Sequence, residues 1–500
     1  MELVRKQLNG YRILQSQVQQ FEQQTDIIIP DVNPDAMTVL GIWGNAVVGE
    51  RQLRRDRITA GGMVHFTLLY RPENGGAAVA VKGNLGFQEV LELKEATEDD
   101  LLLLHAEITE LRGIILNSRK VGVHCRIALH AWVYQRESLL LTEGVHAKPD
   151  EGIQVRTSQQ PTRRFIAAFE KNLSISEDVR IGEASKQEQL LHAEIQWKAE
   201  DIRTLNKKVM VRGAAQLRLV MLGEGEALRE AAYALPFSQI VESSDVHTDC
   251  SAEIQYVTSQ QQLRLERREE GLFLLCSLGA KAMVEVYREV PITTVSDLYS
   301  TNYHTQVKFA PLPAFGCNQE VLYTKLQETV KTDTPASKVL QWYCCGAVAE
   351  VTGDKLRSSF CLCILWEDEE GCKKQQHITL REERDGTAYC AGSCKVIVQK
   401  ISATCQGEAL VIELQAEYHL RQFTKECGSQ VEGCELDITN PRMRYAPGTL
   451  LLRTVGENES TWDLARAYGT TEDAILSANH LLPNQSPEEN QLVMIPFLRK

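Results

Sequence analysis

Apolar and polar residues alternate with a period of two in a segment near the N-terminus. Apolar side chains recur at every second position from Val64 to Tyr70. This period predicts a β-strand with at least one buried face. The run Pro72–Gly76 is rich in turn formers, so the chain is expected to reverse there. The whole segment Ile58–Val90 is therefore predicted to form a β-hairpin unit.

The same unit recurs further along the chain. A second copy begins near Val209 and ends at Pro236–Val241, and a weaker third copy begins near Lys355. Gly62 precedes Phe87 by about as many residues as Gly213 precedes Phe237, and such self-similarity indicates internal repeats. We expect three copies of one β module, roughly 140 residues apart, which is within the usual size of a domain.

The first module is expected to contain further strands around the hairpin. Residues 11–29 predict one or two strands, although the Gln-rich stretch Gln15–Gln24 also permits a helix. Pro30 and Pro34 end this run in a rigid turn. Further strands are predicted at 39–48, 52–59, 101–111 and 120–134. The polar segment 138–160 and the segment 301–315, around Ala310-Pro311-Leu312-Pro313, are expected to be linkers, which places the modules at 1–137, 161–300 and 316–440.

The last fifty residues differ in kind from the modules. Leu450–Val455 predicts a strand, and Ser460 is placed to cap a helix that ends at Tyr468-Gly469. A second short helix is predicted from Thr471 to Asn479, followed by a closing strand at Leu492–Pro496. The predicted fold class is therefore mainly β. It comprises three tandem β-sandwich-like repeats and a small C-terminal α+β domain of βααβ order at 446–500.

Composition and charge narrow the function. The 500-residue chain has a net charge of −13, and this acidity argues against a nucleic-acid partner because phosphate affinity depends on Lys and Arg. No apolar run reaches the length of a membrane helix, so we do not expect a membrane-spanning protein. The N-terminus lacks the features of a signal peptide, which predicts a cytosolic protein with reduced thiols among its 14 cysteines.

The candidate catalytic and metal-ligating residues do not form a recognisable site, so we expect no enzymatic activity, metal or cofactor. Eleven cysteines follow residue 316, including Cys361, Cys363, Cys390, Cys394 and Cys405, but no C-x-x-C pair is present. Buried or free thiols are expected, with intermolecular disulfide cross-linking as the alternative. The tripeptides His105–Glu107 and His192–Glu194 match the H-x-E of zinc deaminases, but no P-C-x-x-C follows. Alternating strand residues explain both tripeptides better.

The C-terminal domain resembles a LysM domain. The similarity is carried by Val455, Trp462, Leu464-Ala465, Tyr468-Gly469, Ile475, Ala478-Asn479 and the closing Leu492–Pro496. LysM domains commonly bind N-acetylglucosamine polymers in a groove between two loops, which here would be Gly456–Thr461 and Asn479–Gln491. The resemblance implies the following groove residues: Glu457, Asn458, Glu459, Ser460, Thr461, Asn479, Glu489, Asn490 and Gln491.

This sequence departs from the LysM pattern within those two loops. Asn458-Glu459-Ser460 stands where G-D-T is usual, and Glu489-Asn490-Gln491 stands where P-G-Q is usual. Asparagine tolerates the left-handed backbone, so the turns are expected to be kept. The added side chains and acidic residues favour a protein partner over a neutral glycan. We expect Trp462 to lie in the core rather than to stack on a sugar.

The three β modules resemble the SPOCS domain, also called DUF3794, of spore-coat proteins. The similarity is carried in module one by Asp26–Asp35, by Gly62–Tyr70 and by Asn117–Lys120. Module two keeps the hairpin and Pro236-Phe237, and module three keeps the alternation. The order of domains is similar to that of clostridial coat morphogenetic proteins, which are scaffolds that link the coat's basement-layer ATPase to the forespore surface.

The resemblance implies a non-enzymatic spore-envelope scaffold. Its expected partners are spore-coat morphogenetic proteins, in particular the basement-layer coat ATPase, with peptidoglycan as a second candidate. It would be made in the mother-cell cytoplasm and deposited on the forespore surface. The candidate partner contact in module one is the turn Asn117, Ser118, Arg119 and Lys120. The alternatives are a peptidoglycan-binding wall or cortex adaptor and an enzyme with an unrecognised site.

Overall fold

Strands dominate the protein. The computed structural model describes residues 1–183, 188–223, 228–313, 317–352, 354–385, 392–423, 426–443, 449, 451–482, 485 and 487–497. Twenty-two strands run through these residues, and two short helices lie close to the C-terminus. The predicted fold class, a mainly β chain with repeated sheets and a small α+β domain, is confirmed.

The first repeat consists of two three-stranded antiparallel sheets. Its strands are β1 (Glu2–Ile28), β2 (Ala36–Arg54), β3 (Arg57–Pro72), β4 (Val79–Glu92), β5 (Leu101–Asn117) and β6 (Lys120–His146). One sheet has the order β1-β6-β5 and the other β2-β3-β4. The alternating residues Val64, Phe66 and Leu68 of β3 are buried in one core with Val123 and Ile127 of β6. The period of two in the sequence therefore reflects one buried face of each sheet.

The second repeat has the same strand order. Its strands are β7 (Ile153–Gly182), β8 (Gln189–Leu205), β9 (Lys208–Leu222), β10 (Leu228–Glu242), β11 (Cys250–Arg268) and β12 (Gly271–Ser300). The two sheets are β11-β12-β7 and β10-β9-β8. The last strand lies in the middle of its sheet and pairs with the first, as β6 does with β1.

The third repeat divides its first and last strands in two. Its strands are β13 (Tyr303–Pro313), β14 (Cys317–Lys331), β15 (Ala336–Thr352), β16 (Lys355–Asp368), β17 (Lys373–Asp385), β18 (Gly392–Cys405), β19 (Ala409–Phe423) and β20 (Glu426–Pro441). The sheets are β14-β19-β18, β15-β16-β17 and the pair β13-β20. The repeat is therefore preserved in the segment where the sequence similarity is weakest.

Two segments expected to be linkers are largely strand, which corrects that expectation. Residues 138–146 belong to β6 and pair with the start of β1, and residues 153–160 belong to β7. Residues 303–313 form β13, which pairs with β20. A two-stranded ribbon with exposed surface is polar like a loop, so composition did not distinguish them. The Gln-rich stretch 15–24, for which a helix was the alternative, is also strand. The module boundaries stay predictions.

The ribbons bring the three repeats together. Leu141 of β6, Ile292 of β12 and Leu312 of β13 form one small apolar cluster. The hydroxyl of Thr142 also donates a hydrogen bond of 2.7 Å to the carbonyl of Val431 in β20. The long strands thus carry contacts from one repeat to the next instead of ending at its boundary.

The C-terminal domain has the predicted βααβ order. Its elements are β21 (Leu451–Thr454), α1 (Thr461–Tyr468), α2 (Glu472–Ala478) and β22 (Leu492–Ile495), and β21 pairs antiparallel with β22. Ser460 caps α1 in a capping box with Asp463, and Gly469 ends the helix at φ +67°. Among the described residues, no helix combines the length and apolar character needed to cross a membrane.

Candidate ligand groove of the C-terminal domain

The two groove loops lie side by side because the backbone joins them. The amide of Val455 donates to the carbonyl of Gln491, and the amide of Asn490 donates to the carbonyl of Val455, each at 3.0 Å. Asn458 and Asn490 have left-handed backbones, at φ +56° and +64°. The expectation that asparagine would keep both turns is confirmed. The side chains of Glu457, Asn458, Glu489 and Asn490 are exposed.

Glu459, one of the predicted groove residues, holds its own loop closed. Its carboxylate accepts hydrogen bonds from the Arg453 guanidinium at 2.9 and 3.1 Å, and from the backbone amide of Gly456 at 3.0 Å. The Arg453 guanidinium also bonds the hydroxyl of Tyr468, and these contacts raise the pKa of Arg453. Glu459 is therefore a structural residue of the loop rather than a free acidic group.

Four further predicted groove residues have structural roles. Asn479 connects α2 to β22 through its side chain. Its Nδ2 donates to the backbone carbonyl of Met494 at 2.7 Å, and its Oδ1 accepts from the backbone amide of Met494 at 2.7 Å. Thr461 is buried and donates to Glu472. Ser460 is the helix cap. Gln491 accepts a hydrogen bond from the amide of Glu488 through its side chain. The surface open to a ligand is thus formed mainly by Glu457, Asn458, Glu489 and Asn490.

The domain is also docked on the second repeat through α1. Trp462 is 5% exposed, which confirms the prediction that it lies in the core. Its ring meets that of Tyr299 edge-on, with 4.9 Å between the ring centroids. The carboxylate of Asp297 accepts hydrogen bonds from Trp462 Nε1 at 2.8 Å and from Arg466 at 2.9 Å. The hydroxyl of Tyr299 donates to the carbonyl of Thr470 at 2.8 Å.

Sequence reasoning missed this docking. Asp297 and Tyr299 end a strand of the second repeat, and no local pattern connects them with a helix more than 150 residues later. The sequence contains only a weak signal of this contact. Tyr299 is apolar enough to be buried, but its strand already contributes to the core of the second repeat, so nothing indicates that Tyr299 belongs to the core of the C-terminal domain. The consequence is that the groove loops keep a fixed orientation relative to the β modules.

The turn Asn117–Lys120, the candidate partner contact in module one, is engaged within the module. Arg119 bonds Asp31 at 2.8 Å and Asp35 at 3.0 Å, and donates to the carbonyl of Asn33 at 2.8 Å. The hydrogen bond with Asp31 is the largest effect that raises the pKa of Arg119. Asn117 accepts from the amide of Arg119, the carbonyl of Ser118 accepts from Ala36, and Lys120 pairs with Asp26. A partner contact there stays a prediction.

The carboxylates of the two H-x-E tripeptides, Glu107 and Glu194, are close enough to interact electrostatically. Glu107 lies 3.7 Å from Nε2 of His105 and 3.5 Å from Nε2 of His130. Burial acts to raise the pKa of Glu107, but the two histidines outweigh it and hold the pKa well below its usual range. Burial also raises the pKa of Glu194 and lowers that of His192 to about 4. Among the described residues, no group of three potential ligands has metal-binding geometry.

Most cysteines of the third repeat that the structure describes are poorly disposed to react. Burial raises the pKa of Cys394 to about 12, and it also raises the pKa values of Cys344 and Cys361. A thiol with a raised pKa forms little of the reactive thiolate at neutral pH. Cys372 is exposed, which makes it the described residue best placed for intermolecular cross-linking. Cys390 lies outside the described residues.

Comparison with known families and proteins gives one result. The LysM domain family matches residues 454–496, so the chain contains a LysM domain, a class associated with binding peptidoglycan and related carbohydrate. The match covers the C-terminal domain and not the three β repeats. No curated protein and no solved structure was found to match the chain.

Proposed function

We propose that this protein is a non-enzymatic scaffold of the spore envelope that uses its LysM groove as a docking site. The observation that carries the proposal is the rigid attachment of the domain. The Asp297 carboxylate and the Tyr299 ring hold α1, while Glu457, Asn458, Glu489 and Asn490 remain exposed on the groove loops. A fixed platform that presents one open groove suits assembly.

Repetition supports a scaffold role. The three β repeats offer several surfaces on one chain, and the contacts between their ribbons keep these surfaces in a defined arrangement. Several weak contacts on one chain raise the effective concentration of each partner site and produce avidity. A layered envelope is an assembly in which such avidity is useful.

The proposed partner is a coat protein, in particular the basement-layer coat ATPase. Glu457 and Glu489 give the groove an exposed acidic rim, which speeds encounter with a basic protein surface. Asn458 and Asn490 place side chains at turn positions where glycine lets a ligand approach the backbone closely. Both features favour a protein over a neutral glycan. Synthesis in the mother-cell cytoplasm and deposition on the forespore belong to the same proposal.

Peptidoglycan binding is the second candidate function. The LysM match favours it directly, since this class of domain binds peptidoglycan. In that case the protein would be an adaptor of the wall or cortex, and the β repeats would serve as spacers.

The two candidates are separated by running two binding assays on the full-length protein. One is sedimentation with purified peptidoglycan, and the other is pull-down of the purified coat ATPase. The scaffold proposal predicts micromolar ATPase binding, weakened by Glu457→Lys and Glu489→Lys but not by the exposed control Glu269→Lys. The same proposal predicts that the protein binds peptidoglycan with an affinity that is millimolar at best. Micromolar sedimentation with peptidoglycan and no ATPase capture would replace the scaffold with the wall adaptor.

A further inference from the structure

A cleft of about 630 Å³ lies between the first and second repeats, far from the LysM groove in sequence. Small-molecule sites usually have volumes of roughly 300–1,000 Å³. One wall is formed by the sheet β2-β3-β4 and the other by the sheet β11-β12-β7, while β8 contributes to the base. The cleft thus lies between the outer faces of two sheets whose inner faces form the separate cores.

The register of the first wall places polar side chains in rows across the strands. Asn45, His65 and Asn84 lie opposite one another on β2, β3 and β4. His65 Nδ1 and Asn84 Oδ1 are 2.7 Å apart, within hydrogen-bond distance. The neighbouring row consists of Trp43, Thr67 and Lys82. Lys82 is exposed and makes no ion pair with any described residue.

The second wall is built in the same way. Gln262, Ser277 and Ser176 form one row, and Arg264, Leu275 and Asp178 form the next. The carboxylate of Asp178 is already neutralised by Arg268 at 2.8 Å. Arg264 is 76% exposed and pairs with Glu266 at 3.3 Å, an arrangement that competes weakly with a ligand.

The base of the cleft contains a deeply buried indole. Trp43 is 2% exposed, and its Nε1 has no hydrogen-bond acceptor among the described residues. That nitrogen is itself buried, so a ligand in the cleft does not reach it, and Trp43 contributes to the shape of the base rather than a donor. Trp43 and Phe66 are too deeply buried to offer a stacking platform for a neutral sugar.

The two walls are held in place before any ligand binds. Asn45 of the first repeat donates to the carbonyl of Ala193 at 2.8 Å, and Gln261 of the second donates to the same carbonyl at 3.1 Å. Because both walls bond to one atom of β8, their spacing is fixed. A preformed site spares the ordering cost of binding.

We propose that this cleft binds a small carboxylate-bearing ligand. Lys82 and Arg264 provide the positive charge from opposite walls, and the row of Asn45, His65 and Asn84 provides polar groups on the first wall. Two sources share this chemistry: a free dicarboxylic acid, and the carboxylate of a peptidoglycan peptide. The site is independent of the proposed role of the LysM groove, because it is built entirely from the β repeats.

The test is isothermal titration of the full-length protein with three probes. These are glutarate, a muramyl peptide that ends in glutamate, and the neutral N-acetylglucosamine tetramer. We expect saturable binding of at least one acid, weakened at least tenfold by Lys82→Gln and by Arg264→Gln and left unchanged by the matched exposed control Lys171→Gln. Binding should also weaken as salt is added. The relative affinity of the two acids identifies the source.

A spectroscopic measurement on the wild-type protein tests binding even if the variants disturb the fold. The indole N–H signal of Trp43, assigned by its loss in Trp43→Phe, should shift when the acid is added to the wild-type protein. Absence of saturable binding by both acids, or binding that neither glutamine variant alters, overturns the proposal. The neutral tetramer tests the LysM groove alone. Absence of tetramer binding therefore does not affect the conclusion about the cleft.

Discussion

The carboxylate of Asp297, at the end of the second β repeat, accepts a hydrogen bond of 2.8 Å from the indole of Trp462 in the LysM domain. The same carboxylate bonds Arg466, and its side chain is 16% exposed. One acidic residue therefore connects two parts of the chain that the sequence presents as independent. Hydrogen bonds that involve a charged group contribute more than neutral ones, roughly 1.5–3 kcal/mol each.

Replacing Asp297 with alanine should loosen the LysM domain from the β repeats without unfolding either part. The Trp462 N–H would then be left without its acceptor, at a cost of about 1–3 kcal/mol. Hydrogen exchange of the α1 amides should accelerate in Asp297→Ala. The exposed Asp473→Ala serves as the control and should leave the protection of α1 nearly unchanged. Equal protection in Asp297→Ala and wild type would show that the docking does not depend on this carboxylate.

Truncating Trp462 to alanine should have a larger and different effect. The ring fills the core between Tyr299, Leu464 and Val493, and removing a buried Trp opens a cavity that costs about 3–5 kcal/mol. The LysM domain should lose its separate calorimetric transition, whereas the β repeats keep theirs. Trp462→Phe retains most of the volume but not the hydrogen bond, so it should resemble Asp297→Ala. A folded LysM domain in Trp462→Ala would contradict the core assignment.

Local signals in the sequence predicted the C-terminal domain well. Ser460 and Gly469 mark the start and end of α1 through capping chemistry, which depends on residues within a few positions. Period-two alternation likewise predicted β3 and its hairpin. Local signals could not show that Asp297 meets Trp462 or that Glu459 is engaged by Arg453. Contacts between distant segments depend on how sheets pack, which no short pattern records.

Composition misled where a strand extends beyond the main core of its own module. Residues 138–146 are polar enough to look like a linker, yet they pair with β1 along their whole length. The cleft residues could not be predicted for a related reason, because Lys82 and Arg264 belong to ordinary alternating strands and come together only when two sheets face each other.

Removing the Arg119 side chain tests whether the turn Asn117–Lys120 is structural or a partner contact. Arg119→Ala removes the bonds to Asp31, Asp35 and Asn33, so the loop 30–35 should lose hydrogen-exchange protection. Lys120→Ala is the matched control, since it removes a neighbouring positive charge but leaves these bonds intact. Coat-protein capture that drops in Lys120→Ala while the loop stays protected would instead support a partner contact.

Acidification should weaken the junction at His192. Burial lowers the pKa of this imidazole in the folded protein to about 4, below the ordinary 6.5 of the unfolded chain. The unfolded state therefore binds the proton first, and the stabilisation is complete above pH 6.5 and is lost as the pH falls towards 4. The loss attributable to His192 should reach about 3 kcal/mol. Denaturation midpoints of wild type and His192→Gln, measured from pH 7.5 to 4.5, should differ in slope within this window, and parallel curves would contradict the assignment.

We expect the two asparagines with left-handed backbones to set the affinity of the LysM groove for a glycan. Asn458→Gly and Asn490→Gly keep backbones at φ +56° and +64° without strain and remove the side chains that stand between a ligand and the backbone. The double variant should therefore bind the N-acetylglucosamine tetramer at least tenfold more tightly than wild type. The alanine variants should instead lose about 1 kcal/mol of stability, because a left-handed alanine is strained. Titration with the tetramer and thermal unfolding measure both effects. If the wild-type protein already binds the tetramer as tightly as the double glycine variant, the asparagines do not obstruct the groove, and the peptidoglycan adaptor becomes the stronger proposal.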